Sequence, residues 1–293
     1  MTTSFAREPG AGLADQSLPG YAEMLDAYHR AREHELRALV AELPIVSGDR
    51  VLDVASGDGC YSLWLAERGA QVVGVDRSPA YLALARERAA SRPQARRVRF
   101  EMADAGALPF ADAAFDLAWC AQSFYSLPDP NTALREMIRV TRPGGTVAVL
   151  ENDTPHQIIL PWPAWLELAV RQAQLEALAE RHPGAELAKF YVGRNLRGVF
   201  QEHGLEACEL RSYSVDRHAP LSADELLFLR GYLADLRERA WPRLAPNARA
   251  ELDWLIQPDS PGYLLRRPDL HLAHLELLAL GRKPRTYGAA PSN

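Results

Sequence analysis

The sequence predicts an α/β protein built on a doubly wound, mostly parallel sheet. Three observations carry that prediction. Short apolar runs alternate with helical stretches between residues 50 and 151, a small-residue loop follows the first run, and three successive runs end beside an aspartate. Alternation of this kind covers a parallel sheet with helices on both faces.

The elements follow in order. Residues 1–20 are polar and rich in Gly and Pro and read as a frayed tail. YAEMLDAYHRAREHELRALVAELP then keeps its apolar positions on one face, predicting a helix over 21–43 stopped by Pro44. Strands are expected near 50–54, 71–76, 97–103, 115–120 and 145–151, with helices near 60–69, 79–91 and 130–141 between most of them. A long helical pattern over 158–182 interrupts the alternation, and a shorter helix at 192–203 is closed by Gly204. A strand-like stretch at 205–217, helical segments near 222–241 and 246–257, and the apolar run LHLAHLELLAL at 270–280 complete the chain.

Of the 293 residues, 47% are hydrophobic and 24% charged, enough for a large core in one enlarged domain. The formal net charge is -5 with no long basic run, which argues against a dedicated nucleic-acid binder. Cys60, Cys120 and Cys208 are widely spaced without a C-x-x-C, so neither a disulfide framework nor a metal site is expected. With no apolar signal core and no run of about eighteen apolar residues, the expected location is the cytoplasm, without stable membrane insertion. Self-association is left open.

The chemistry concentrates at strand ends. In VLDVASGDG (51–59), Asp53 sits at the lip of the first strand, and Ala55, Ser56, Gly57 and Gly59 let a backbone approach a ligand while the next helix offers free amides. In VVGVDRSP, Asp76 ends the second strand, where a carboxylate can accept two ribose hydroxyls. In RFEMADAGALPF, Asp104 ends the third, within reach of an exocyclic adenine amine.

These segments, with MADAGALPFADAAFDLAWC and REMIRVTRPGGTVAVLE, resemble the class I S-adenosylmethionine-dependent methyltransferases, closely over residues 45–151. The last segment is especially similar to the small-molecule and ubiquinone-type branch. The resemblance implies a Rossmann-like, seven-stranded sheet ending in an antiparallel hairpin, for which 205–217 and 270–282 are the candidates. It implies a single domain over 21–293 with a cap helix at 21–43, a cofactor core at 45–151 and helical insertions at 158–182 and 222–257. It implies S-adenosyl-L-methionine as cofactor, with Asp53, Gly57 and Gly59 on the methionine portion in a loop shared by Ala55 and Ser56. Asp76 and Arg77 would take the ribose and its flank, Asp104 and Ala105 the adenine, and Gln122 the sulfonium end. Ala55 stands where the family usually has Gly, and a slight shift of the loop is the expected consequence.

The implied activity is methyl transfer to an O, N or C nucleophile of a small molecule, in secondary metabolism. Two other readings stay open: a NAD-dependent oxidoreductase, although its G-x-G-x-x-G is not matched here, and a non-catalytic S-adenosylmethionine-binding protein. His156, in ENDTPHQ, is the first candidate for a general base, with Glu151 and Tyr125 behind it; a solvated loop histidine is the alternative. Tyr21, Tyr28 and His29 are candidates for a lid, Trp162, Trp165 and Tyr191 for the acceptor pocket, and Arg194 for an anionic acceptor, each against a plain packing or surface role. Cys60, at a helix N-terminus without an evident partner, is read as structural.

Overall fold

The structure, a computed structural model, describes residues 17–153, 157–181 and 192–285. Strands β1 (Arg50–Val54), β2 (Gln71–Asp76), β3 (Val98–Met102), β4 (Phe115–Ala121) and β5 (Thr141–Glu151) pair in parallel in the order β3-β2-β1-β4-β5. A two-residue strand β6 (Ile158–Ile159) and two long strands, β7 (Glu206–His218) and β8 (His271–Arg282), complete the sheet in antiparallel pairings. β8 lies against β5 through Leu277–Arg282, takes β6 at Ala273 and His274, and pairs with β7. The sheet therefore has eight strands where seven were expected. The additional one forms because the chain returns to β8 at Ala273 and His274, beyond the stretch that β5 occupies.

The strand order turns back at β1, which has β2 on one side and β4 on the other. In a doubly wound sheet the helices leave β1 and β4 toward opposite faces, so a crevice opens at their carboxyl ends. Both faces are covered, as the nearly continuous apolar strands require. On one face Val51, Trp119 and Leu150 pack with Leu36, Trp64 and Leu229; on the other Leu52, Val149 and Ala279 pack with Leu134, Leu196 and Phe200.

The helices are α1 (Ala22–Ala31), α2 (Glu33–Ala41), α3 (Cys60–Glu67), α4 (Pro79–Ala90), α5 (Pro130–Val140), α6 (Ala164–Arg181), α7 (Val192–Glu202), α8 (Ala223–Ala240) and α9 (Pro246–Ile256). Local chemistry sets several of their starts. Ser78, Asp129 and Ser222 accept hydrogen bonds from Tyr81, Thr132 and Glu225 N–H groups, and Pro79 and Pro130 occupy the position where a missing N–H costs nothing.

Two sequence expectations need correction. The helix expected over 21–43 is two helices, broken at Arg32, whose φ of -121° is not helical. The break turns the Arg32 side chain inward, where it is fully buried between the rings of Tyr28 and Phe228 at 4.3 and 4.4 Å. The helix expected over 158–182 starts only at Ala164, because Pro161 and Pro163 lack the amides a helix needs and the preceding residues pair with β8 instead. β5 is longer than expected because the run TRPGG bulges: Phe115 pairs with Thr141, but Leu117 pairs with Thr146.

Gly59 precedes α3 with φ +77°, and a Cβ there would lie 2.7 Å from the Phe100 ring and 2.9 Å from Ala85 Cβ. It lets α3 settle close to the Phe100 cluster of Leu63, Leu82, Ala85 and Ala89. Gly59→Ala is expected to destabilise the protein by about 2–4 kcal/mol, combining a left-handed alanine with overpacking. Urea denaturation checks this; an unchanged midpoint would contradict the packing role.

Candidate active site

The loop leaving β1 is wound by left-handed residues: Ala55 has φ +56°, Gly57 φ +53° and Gly59 φ +77°. The alanine that replaces the expected glycine thus keeps the glycine conformation, at a cost of about 1–2 kcal/mol. Ser56 N–H donates to Val75 O at 2.9 Å, and Gly57 N–H donates to Asp76 Oδ2 at 2.9 Å. Asp76 Oδ1 accepts Ser78 N–H at 2.8 Å. Asp76 therefore ties the loop to the end of β2 while each of its oxygens retains a lone pair for a ligand.

Asp53, 1% exposed, accepts a hydrogen bond from Ser62 Oγ at 2.5 Å. Burial pushes its carboxyl up to about 7, and the negative charges of Asp76 and Asp58 act in the same direction. Asp58 behaves oppositely although it is also buried. His29 Nδ1 approaches its Oδ2 at 3.5 Å and Arg88 Nη1 at 3.0 Å, and the carboxyl falls to about 2 against its own desolvation.

Above the loop lies an open-mouthed cleft. Asp53, Ala55, Ser56, Gly57 and Asp58 line one wall; Ala121, Gln122, Ser123 and Tyr125, beyond β4, line another. Tyr21, Leu25, Tyr28 and His29 come from the α1 region and Phe228 and Arg239 from α8, with Tyr61 from α3. Glu151, the last residue of β5, reaches the cleft from a fully buried position. Its oxygens accept Tyr125 N–H at 3.3 Å and Asn152 N–H at 3.1 Å, yet burial outweighs these bonds and raises its carboxyl to about 8. Gln122 is held left-handed at φ +49° by its N–H bond of 2.7 Å to Leu150 O. Its amide donates to the Tyr28 hydroxyl, which in turn donates to Glu276 Oε1.

The sequence reading thus has Asp53, Ala55, Ser56, Gly57, Gln122, Tyr125, Glu151, Tyr21 and Tyr28 brought together on one cleft. Asp76, Arg77, Asp104 and Ala105 stand at the ends of β2 and β3 outside that lining; Asp76 is buried, whereas Asp104 is exposed and accepts Gly106 N–H at 2.7 Å. Gly59 faces the Phe100 cluster rather than the cleft. Trp162, bonded to Glu167, the half-exposed Trp165, and Arg194, paired with Asp153 at 2.5 Å, also lie outside it. His156 and Tyr191 fall outside the described residues. Asp58, Phe228 and Arg239 line the cleft and Glu276 stands behind it, none of them singled out in the sequence. The lone acid in LHLAHLELLAL is the signal that would have found Glu276, since a carboxylate inside an apolar strand needs a partner.

Residues 52–149 match the family model described as "Methyltransferase domain". The demethylmenaquinone methyltransferase of Renibacterium salmoninarum is 34% identical over 189 residues, which cover 64% of this chain and 76% of that one. The chain belongs to the class I S-adenosylmethionine-dependent methyltransferase family. Methyltransferase GfsG of Streptomyces halstedii is 40% identical over 128 residues, 43% of this chain and 46% of that one. The chain spans about half the length of several of the curated relatives it matches. Among solved structures, the YcgJ protein of Bacillus subtilis shares the fold at 17% identity and a TM-score of 0.57, covering 87% of this chain and 100% of that one. Phosphoethanolamine N-methyltransferase 2 of Haemonchus contortus, in complex with S-adenosyl-L-methionine, shares it at 19% identity and a TM-score of 0.53, covering 90% and 58%. Among the described residues no helix is long and apolar enough to cross a membrane.

The Glu151 proton gives the site a measurable signature. An unfolded chain releases it near 4.5 but the folded protein only near 8, so folding takes up a proton between those values and wild-type stability falls as pH rises through them. Glu151→Gln cannot release a proton. Its stability relative to wild type is expected to rise from about pH 4.5 to 8 and then level off, as read by urea denaturation across pH. A constant difference would place the Glu151 carboxyl in water.

Proposed function

We propose that the protein transfers the methyl group of S-adenosylmethionine to a flat, largely apolar small molecule in this cleft. The observation that carries the reading is Asp53. It is a buried carboxylate at the crevice of a doubly wound sheet, and among the described residues no cation pairs with it. A ligand ammonium beside it would supply the missing charge, and the methionine portion of S-adenosylmethionine carries one. The left-handed loop at 55–59 lets that portion approach the backbone, Asp76 retains lone pairs for ribose hydroxyls, and Asp104 and Ala105 would take the adenine.

S-adenosylmethionine, when bound, supplies a methyl group already activated on a sulfonium. The chain's own residues contribute position, alignment and exclusion of water. Tyr28, Phe228, Tyr61 and Tyr125 present aromatic walls that suit a planar acceptor. Glu151, with its carboxyl raised to about 8, would take a proton from an acidic hydroxyl or carbon in its ionised form, which prevails above about pH 8. The names of the demethylmenaquinone methyltransferases among the relatives support an acceptor of quinol type.

Incubation with methyl-labelled S-adenosylmethionine and a panel of quinols, phenols and enolic ketones tests the proposal. Label is expected in one of these classes together with S-adenosylhomocysteine, and transfer to none of them by protein that binds the cofactor would favour a non-catalytic binding role. Cofactor binding has its own signature. Because an ammonium lowers the Asp53 carboxyl from about 7, binding is expected to release close to one proton near pH 6 and almost none above about pH 8. Calorimetry in buffers of different ionisation enthalpy reads this number. Asp53→Asn should bring the release near pH 6 to zero; release that persists in the variant would assign the proton to another group.

A further inference from the structure

We propose that His29, Asp58 and Cys60 form a binding site for a divalent transition metal, with Zn²⁺ the ion their ligand set suits. The three residues come from α1, from the loop after β1 and from the first position of α3, and folding alone brings them together. One ligand atom from each, an imidazole nitrogen, a carboxylate oxygen and the Cys60 Sγ, lie within 4.8 Å of one another. That spacing allows all three to share one ion at ordinary metal–ligand distances of about 2.0–2.3 Å, with small adjustments of the side chains.

A second, independent observation points to a ligand. Both ring nitrogens of His29 are buried without a hydrogen-bond partner, although the residue is only 5% exposed. Nδ1 has only its 3.5 Å approach to Asp58 and Nε2 has no partner; a buried imidazole left so poorly satisfied is costly, and a metal ion on one nitrogen removes that cost. The surroundings fit a coordination site. Tyr61 and Trp64 close on the imidazole edge-on at 5.4 and 6.2 Å between ring centroids, fixing its plane. Arg88 Nη1, 3.0 Å from Asp58 Oδ2, holds the carboxylate from outside, as an outer partner of a metal ligand does. Thiolate and carboxylate together cancel the charge of a divalent ion, and Arg88 also pairs with Asp26 at 2.7 Å. A separate groove, lined by Asp26, Glu33 and Glu67 together with Arg30, Arg37, Arg88 and Arg92, opens onto His29 and Cys60 and gives an ion a route in.

The sequence offered no such reading, since Cys60 has no cysteine or histidine at metal-ligand spacing. A bound ion would pin α1 to the loop that follows β1, at one edge of the cleft that His29 and Asp58 line. The inference does not depend on methyl transfer.

Cobalt titration of the full, metal-free chain tests it. One equivalent of Co²⁺ is expected to bind with a thiolate-to-metal charge-transfer band, and Zn²⁺ should displace it. Cys60→Ser should abolish the band and weaken Zn²⁺ at least tenfold in chelator competition, whereas Cys120→Ser and Cys208→Ser should keep both. Zn²⁺ should raise the Tm of wild type and not of Cys60→Ser. If Cys60→Ser does not fold, His29→Gln makes the same prediction for Zn²⁺ affinity. Absence of a stoichiometric band in folded wild type, or binding that survives both substitutions, would overturn the site.

Discussion

The withdrawal of negative charge from water at the carboxyl ends of the strands is the constraint on which the rest of this architecture depends. Asp53, Glu151 and Glu276 are all buried there, and desolvation raises the proton affinity of each. A fold bears such a cost only where something compensates it. Asp58 shows what compensation does: with His29 and Arg88 against it, an equally buried carboxyl five residues from Asp53 is held at about 2 rather than about 7. The difference is set by neighbours and not by depth. Asp53 and Glu151 have no such cation among the described residues, and both face the cleft.

The cap is built on the same principle with the charges reversed. Arg32 is fully buried and stacked between Tyr28 and Phe228, with its guanidinium against His274 and 3.5 Å from Glu225. Burial and the positive charges of Arg32 and Arg217 hold His274 well below its usual range, so it serves as a neutral acceptor. Tyr28 continues the chain to Glu276 and Gln122. The break between α1 and α2 is therefore the means by which a cap residue enters a polar network that ends on the cleft wall. Removing any one member leaves the others buried and unpaired, which binds the position of the cap to the geometry of the site.

Much of this was legible in the chain. The strands and the loop could be read because their signals are local: a charge at the end of an apolar run, small residues after it, proline and serine at helix starts. VLDVASGDG alone placed Asp53, Ala55, Ser56 and Gly57 together. The break at Arg32 could not be read, because the helical periodicity runs through it and the force that turns it inward comes from Phe228 and His274, some two hundred residues away. The neighbourhood of His29, Asp58 and Cys60 was hidden for the same reason. The small-residue loop makes Gly59 a candidate for ligand approach, but the structure places it against Phe100, a contact that no spacing rule announces. Tertiary partners of single polar residues were the part beyond reach.

The central claim is that the buried carboxylate of Asp53 awaits the ammonium of a bound cofactor. A crystal structure of the protein with S-adenosylhomocysteine tests it most directly. The ligand's amino group is expected within hydrogen-bonding distance of Asp53 and its ribose hydroxyls on Asp76, with the sulfur turned toward Gln122. A ligand seated elsewhere, or one whose amino group is satisfied by other residues while Asp53 keeps only Ser62, would contradict it.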